Sequence, residues 1–272
     1  MSTVTRTIAV ESSRGPRGDA SCGAEGGGSS SCTACPLRRL DLFTSVTKLE
    51  LELIEELKQA EETLDAGATL IVENGDDNPL YTLLSGWAMR FKTLADGRRQ
   101  ILSLLLPGDF VGLQQKVTDA ASHGVVALTP VRVCRFPRDA LWTLHRELPS
   151  LGYDVTWLAA NENAVVDDNL LSVGRRTALE RMAALLLTLY ARALAHEPDG
   201  EKVGVFFPLT RQLLADALGL SLVHTHRTLR ELRVRKLFEL RPGPRLLLPD
   251  QPRLARVAHL RWPLQLHTRP LI

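Results

Sequence analysis

The 272-residue chain is short of several things, and each shortage narrows what it can be. No apolar run approaches the ~20 residues a bilayer-spanning helix requires. The longest, from Met182 to Tyr190, is bracketed by Arg181 and Arg192 and reads as a core helix. The first residues carry no apolar signal-peptide core, so a cytoplasmic location without membrane attachment is expected. Cysteines there are more often reduced, metal-bound or reactive than paired in structural disulfides. There are only four, Cys22, Cys32, Cys35 and Cys134. The formal net charge of +2 is too small to imply a nucleic-acid partner by itself; basic residues dominate 227–245 and acidic ones 50–62. P-loop, Rossmann fingerprint, nucleophile elbow and HExxH are all missing. The acidic pair Asp167-Asp168 has no histidine or cysteine near it in sequence and reads as a solvated helix face. An enzyme is not expected.

What is present is a two-helix pattern over 207–238. Thr210 can cap the first helix, because its hydroxyl accepts an otherwise orphaned amide. Leu214, Ala217 and Leu218 form an apolar stripe, and Gly219 stands where a helix end needs positive φ. Ser221 caps a second helix with Thr225, Leu229 and Leu232 at inward spacing. Its other face carries Val223, His224, His226, Arg227 and Arg230. A polar, cationic face of this kind suits a helix in the major groove of double-stranded DNA. The plainer alternative is a packing unit with a solvated charged face. A hairpin-like stretch follows over 237–248, with Pro242-Gly243-Pro244 at its tip, and looks like a wing.

Upstream, residues 1–31 are rich in Gly and Ser and read as a mobile tail that buries too little to offset its ordering entropy. Thr47 and Glu50 have capping-box spacing and introduce a helix with Leu49, Leu53 and Leu57 on one side. From Leu64 to Phe136, short apolar runs alternate with turns at Asn74-Gly75-Asp76, Ser85-Gly86, Asp96-Gly97 and Pro107-Gly108-Asp109, the pattern of a sandwich or roll. Leu151, Val155, Leu158 and Val165 fall near a 3.5-residue repeat, as a dimer helix needs, with Glu162 and Asn169 interrupting the seam. An intramolecular core helix fits the same spacing. A further apolar helix is expected over 175–196.

The run Leu209-Thr210-Arg211-Gln212, Ala215, Leu218-Gly219 and Arg227 resembles the helix-turn-helix of CRP/FNR-type regulators. Pro107-Gly108-Asp109-Phe110-Val111-Gly112 resembles a turn of that superfamily's cyclic-nucleotide-binding β-roll. The resemblance implies an α+β chain: a tail (1–31), a sensor β-roll with its cysteine segment (32–148), a dimerisation helix (149–174) and a winged helix-turn-helix (175–272). It also implies a homodimer at a palindromic operator, in contact with RNA polymerase. In cyclic-AMP-binding relatives a glutamate holds the ribose and an Arg-Ser pair the phosphate. The matching positions here are Leu113 and Ala121-Ser122, so no cyclic nucleotide is expected; a lone His123 in a loop is expected to be exposed.

Cys134, in Val133-Cys134-Arg135-Phe136-Pro137, falls where FNR-type oxygen sensors keep their central cluster ligand. Cys22, Cys32 and Cys35 resemble the amino-terminal ligands, with wider spacing than the family's. Four thiolates can hold a [4Fe–4S] iron–sulfur cluster. A redox pair or zinc site at Cys32 and Cys35, and a merely buried Cys134, are the alternatives.

Overall fold

The computed structural model describes residues 31–76, 78–113 and 121–272. Two short 3-10 turns, Cys32–Ala34 and Pro36–Arg39, lead to α1 (Lys48–Leu57), which opens on the Thr47/Glu50 capping box. Eight strands follow: β1 (Ala60–Leu64), β2 (Thr69–Ile71), β3 (Leu80–Ser85), β4 (Ala88–Thr93), β5 (Arg99–Leu105), β6 (Phe110–Val111), β7 (Gly124–Ala127) and β8 (Val131–Phe136). They form two four-stranded antiparallel sheets, ordered β1-β8-β3-β6 and β2-β7-β4-β5.

Strand periodicity assigns each face its own core, since successive side chains point to opposite sides. Val131 and Val133 of β8, with Tyr81 and Leu83 of β3, fill the roll interior. Cys134 and Phe136, with Leu80 and Leu84, point outward into a second core beneath α1, α2 (Ala140–Glu147) and α3 (Pro149–Arg175). On the other sheet, Trp87, Met89, Ile101 and Leu104 face outward into a third core. That core is shared with α4 (Ala178–Leu194) and the C-terminal lobe.

The C-terminal lobe continues through α5 (Gly200–Val203), β9 (Val205–Phe206), α6 (Arg211–Leu218), α7 (Leu222–Val234), β10 (Glu239–Arg241), β11 (Arg245–Leu247) and α8 (Gln251–Ala258). The three strands form one sheet, β10-β11-β9, and the Pro242-Gly243-Pro244 tip joins β10 to the central strand β11. No helix among the described residues is long and apolar enough to cross a membrane.

Four expectations change. In α1 the fully buried residue is Ile54, while Leu49 is 62% exposed; Leu51, Leu53 and Leu57 pack partly around Ile54. In α3, Leu151, Val155 and Leu158 are buried against the chain's own second core, so that part of the seam is intramolecular. Glu162 and Asn169, expected to interrupt the seam, make contacts within the chain: Glu162 pairs with Arg90 at 3.3 Å, and the Asn169 amide donates to Leu102 O at 2.8 Å. The outward apolar residues of α3 are instead Tyr153, Leu170, Leu171 and Val173. The next helix, expected over 175–196, starts later, at Ala178, because Thr177 and Glu180 form a second capping box.

Candidate nucleic-acid interface and cysteine cavity

The α6–α7 unit is built from local chemistry. Thr210 Oγ1 accepts from Leu213 N at 3.2 Å, and Ser221 Oγ accepts from His224 N at 3.2 Å. Gly219 takes the left-handed conformation (φ 61°) that ends α6, and Leu220 N then returns to Ala215 O at 3.1 Å. Thr225, Leu229 and Leu232 are buried and fix the roll of α7 about its axis. Thr228, which the sequence reading passed over, is buried too, and its hydroxyl donates back to His224 O at 2.9 Å.

The opposite face of α7 is open. Val223 is 72% exposed, and His224, His226, Arg227 and Arg230 are exposed beside it. Arg211 is exposed at the start of α6, while Gln212 donates to Asp216 at 2.7 Å. Asp216 also accepts from Arg99 of β5 at 2.8 Å, and Gln100 donates to Ala217 O at 3.0 Å. The β4–β5 hairpin thus grips α6 from the side, and the exposed side of α7 stays free.

In the roll, Leu113 and Ala121 occupy the positions where a carboxylate and an arginine were sought; Ala121 is fully buried. His123 is buried rather than exposed, a correction to the loop reading. Burial, with Arg90 and Lys92 beside it, pushes its pKa down to about 4, so the ring is neutral at pH 7 and offers a phosphate no charge. Arg98 and Arg99 lie on the exposed hairpin, paired with Asp96 and Asp216. Among the described residues of the roll the buried cation is Arg90, which sequence reasoning missed. Its partner Glu162 lies 72 residues away, so no local pattern marks the pair. Burial pushes the Glu162 carboxyl up to about 8 despite Arg90, which pulls it down.

The chain brings three of its cysteines to one place. Cys32 in the first 3-10 turn, Cys35 between the two turns and Cys134 on the outward face of β8 line a cavity of about 20 Å³, together with Arg38, Leu271 and Ile272. Cys22 lies outside the described residues. All three are free thiols. Burial raises Cys32 and pushes Cys134 up to about 12. Burial lowers Arg38, and the three thiols pull it back up. Among the described residues, no three Cys, His, Asp or Glu side chains are drawn close enough to hold a metal ion.

A second cavity, of about 210 Å³, lies where the roll, α3, α4 and the C-terminal segment meet. Asp109 is central to its wall. One oxygen is ion-paired with Arg269, and the other accepts from Arg192 at 2.6 Å. Burial acts to raise the Asp109 pKa, yet the two guanidinium groups and the Leu106 amide hold it down at about 2.

Residues 61–147 match the Cyclic nucleotide-binding domain family, and residues 180–257 match the Crp-like helix-turn-helix domain family. The chain is 32% identical over 201 residues to the nitrogen fixation regulation protein FixK of Bradyrhizobium diazoefficiens, covering 74% of this chain and 83% of that protein. It is 30% identical over 229 residues to the transcriptional activator protein FnrL of Cereibacter sphaeroides, covering 84% of this chain and 91% of the relative. Its structure is similar to that of FixK2 from Bradyrhizobium japonicum, with a TM-score of 0.65 at 25% identity, over 73% of this chain and 96% of that one. These relatives are transcription regulators, not enzymes, and both halves of the fold agree with theirs. A β-roll followed by a winged helix-turn-helix with an open basic helix, in a chain this close to FixK and FnrL, places the protein in the CRP/FNR family of DNA-binding transcription regulators.

Proposed function

We propose that the protein binds a palindromic operator as a homodimer, reads it with α7, and is controlled by oxygen or redox state through Cys22, Cys32, Cys35 and Cys134. The observation that carries the DNA part is the geometry of α7. Its buried side is fixed by Thr225, Leu229 and Leu232, which leaves Val223, His226, Arg227 and Arg230 facing outward together. Arg227 donates to the O6 and N7 of a guanine, and such a bidentate pair carries about 1–3 kcal/mol of discrimination. Arg211, with Gln212, stands at the start of α6 to meet phosphate. Binding-site selection tests this: Arg227→Ala relaxes one base in each half-site, whereas Arg211→Ala weakens all sequences alike. An unchanged selected motif for Arg227→Ala would sink the assignment. Two α7 helices one DNA turn apart set half-sites about 34–36 Å from each other. Contact with RNA polymerase in the cytoplasm is the matching expectation, since FnrL is named a transcriptional activator.

For the cysteines, the donor set suits an iron–sulfur cluster in kind, because three thiols share one cavity. It does not suit one in size as it stands, since about 20 Å³ holds roughly one water. Cys32, Cys35 and Cys134 would hold the cluster, with Cys22 as the fourth ligand, and the cluster would supply oxygen-sensitive redox chemistry. The chain's own part is to tether the 3-10 turns to β8, which runs directly into α2 and α3. Anaerobic purification with absorption, iron and sulfide analysis tests it: Cys134→Ser loses the colour and the oxygen response of DNA binding. Colourless, iron-free protein that binds equally in air would defeat it. A thiol pair at Cys32 and Cys35, a zinc site there, another small ligand, or a constitutive regulator would then be left. For cyclic AMP, calorimetry is expected to give no binding, given Leu113, Ala121 and a neutral His123.

A further inference from the structure

Beyond α8 the chain does not stay with the winged-helix lobe. Residues 265–268 cross the surface exposed, and 269–272 are buried against the sensor roll. Arg269 forms a parallel bridge with Phe43: its amide donates to Leu42 O at 3.0 Å, and Thr44 N donates to Arg269 O at 2.9 Å. The Arg269 guanidinium lies 5.3 Å from the Phe43 ring centroid, pairs with Asp109 and donates to Pro107 O at 2.9 Å. Gly108 is obligatory beneath this contact, because a Cβ there would collide with the Phe43 ring. Leu271 and Ile272 then enter the cysteine cavity. Arg38 donates to Leu271 O at 3.0 Å, and Thr82 Oγ1 donates to Ile272 O.

We infer that residues 269–272 are a latch that fills the space a group bound by Cys32, Cys35 and Cys134 would need, so that latch docking and ligation by these thiols exclude each other. With the latch in place the cavity has room for about one water, and the thiols stand too far apart for a shared metal ion. With it withdrawn, Leu271 and Ile272 vacate one wall of the cavity, and the segment carrying Cys32 and Cys35 loses the Arg38 and Phe43 contacts that pin it. Exclusion is reciprocal: whatever weakens the latch strengthens ligation, and ligation weakens the latch by the same factor. Because the latch belongs to the chain segment leaving the winged-helix lobe, an event at the thiols reaches that lobe directly as well as through α3. The inference deepens the sensor reading and rests on it only for what the thiols bind in the cell.

The full-length protein, reduced and anaerobic, is labelled with iodoacetamide, and Cys32 and Cys134 are followed by mass spectrometry. Hydrogen exchange reports on the Thr44 amide, and Zn²⁺ is the ligand probe. Arg269→Ala removes the guanidinium contacts with Asp109, Pro107 and Phe43 without touching the cysteine cavity. It is expected to speed Cys134 labelling by roughly tenfold, the effect of about 1.4 kcal/mol of lost docking, and to tighten Zn²⁺ binding similarly. Zn²⁺ added to the unmodified protein should accelerate exchange at Thr44. Leu271→Ser, which keeps the anchor, is expected to speed labelling with less change at Thr44. Leu144→Ala, a change in the same core away from the cavity, controls for general loosening and should leave Cys134 slow. Unchanged labelling in both latch variants, or Thr44 protection indifferent to Zn²⁺, would overturn the latch. Iron-free protein would defeat the cluster and not the latch; unchanged labelling defeats the latch whatever the colour.

Discussion

Two carboxyls, Asp109 buried and Glu162 partly buried, make opposite contributions to stability. Glu162 is raised from 4.5 to about 8 by burial, against Arg90, which pulls it down; Asp109 acts to raise it further, while Arg192 and Arg269 act to lower it. Over that window the folded chain keeps a proton the unfolded chain has lost, so stability falls as pH rises from 4.5 toward about 8. Glu162→Gln, neutral throughout, is expected to flatten the melting temperature across this range; an unaltered slope would count against the assignment. Asp109 behaves conversely. Its pKa is held at about 2 against an ordinary 3.8, so its stabilisation is complete above 3.8 and is lost as pH falls through about 2. Asp109→Asn leaves Arg192 and Arg269 without their counter-charge, and denaturant unfolding at neutral pH should register a loss of about 3–5 kcal/mol. Gly219 is a third residue with a definite cost. At φ 61° a side chain is strained even though its Cβ would find no contact closer than 3.7 Å, so Gly219→Ala should cost about 1–2 kcal/mol.

Among the elements, α3 separates what spacing can reveal from what it cannot. Leu151, Val155 and Leu158 have the repeat of a dimer seam, but self-packing onto a roll demands the same spacing, and here self-packing takes them. Leu170 and Leu171, 69% and 50% exposed, are the apolar residues of that helix that the proposed homodimer would cover. Leu170→Glu is therefore expected to yield a monomer with weakened operator binding and an unchanged melt, read by sedimentation and gel shift. Leu158→Ala should instead cost about 2–5 kcal/mol of stability wherever the dimer equilibrium lies. A folded, dimeric Leu170→Glu would move the interface elsewhere. The capped ends at Thr47, Thr210 and Ser221 were legible because a cap is a contact within three residues. The turns of the roll were legible for the same reason. Arg90–Glu162 and Asp109–Arg269 join residues 72 and 160 positions apart, and nothing in a one-dimensional pattern marks such partners. His123 misled because a polar residue beside glycine suggests a loop, whereas here it borders a buried strand.

At the scale of the whole molecule, the β-roll and the winged helix are not beads on a helix. Trp87 of the roll meets Phe207 edge-on, with ring centroids 6.4 Å apart, inside one apolar core that runs from Met89 and Ile101 to Leu232 and Leu246. Calorimetry should accordingly record one unfolding transition for both lobes. Trp87→Ala should lower it as a unit, by about 3–5 kcal/mol, and two separable transitions would contradict the shared core. The DNA-reading half is for this reason a poor cassette. Cut away near residue 176 and grafted onto another sensor, it would offer Phe207 and its neighbours to water and arrive sticky unless the new host brought an apolar sheet of its own. A swapped regulator built from this chain must carry the β4–β5 sheet across with the helices, because the boundary that matters runs through the core.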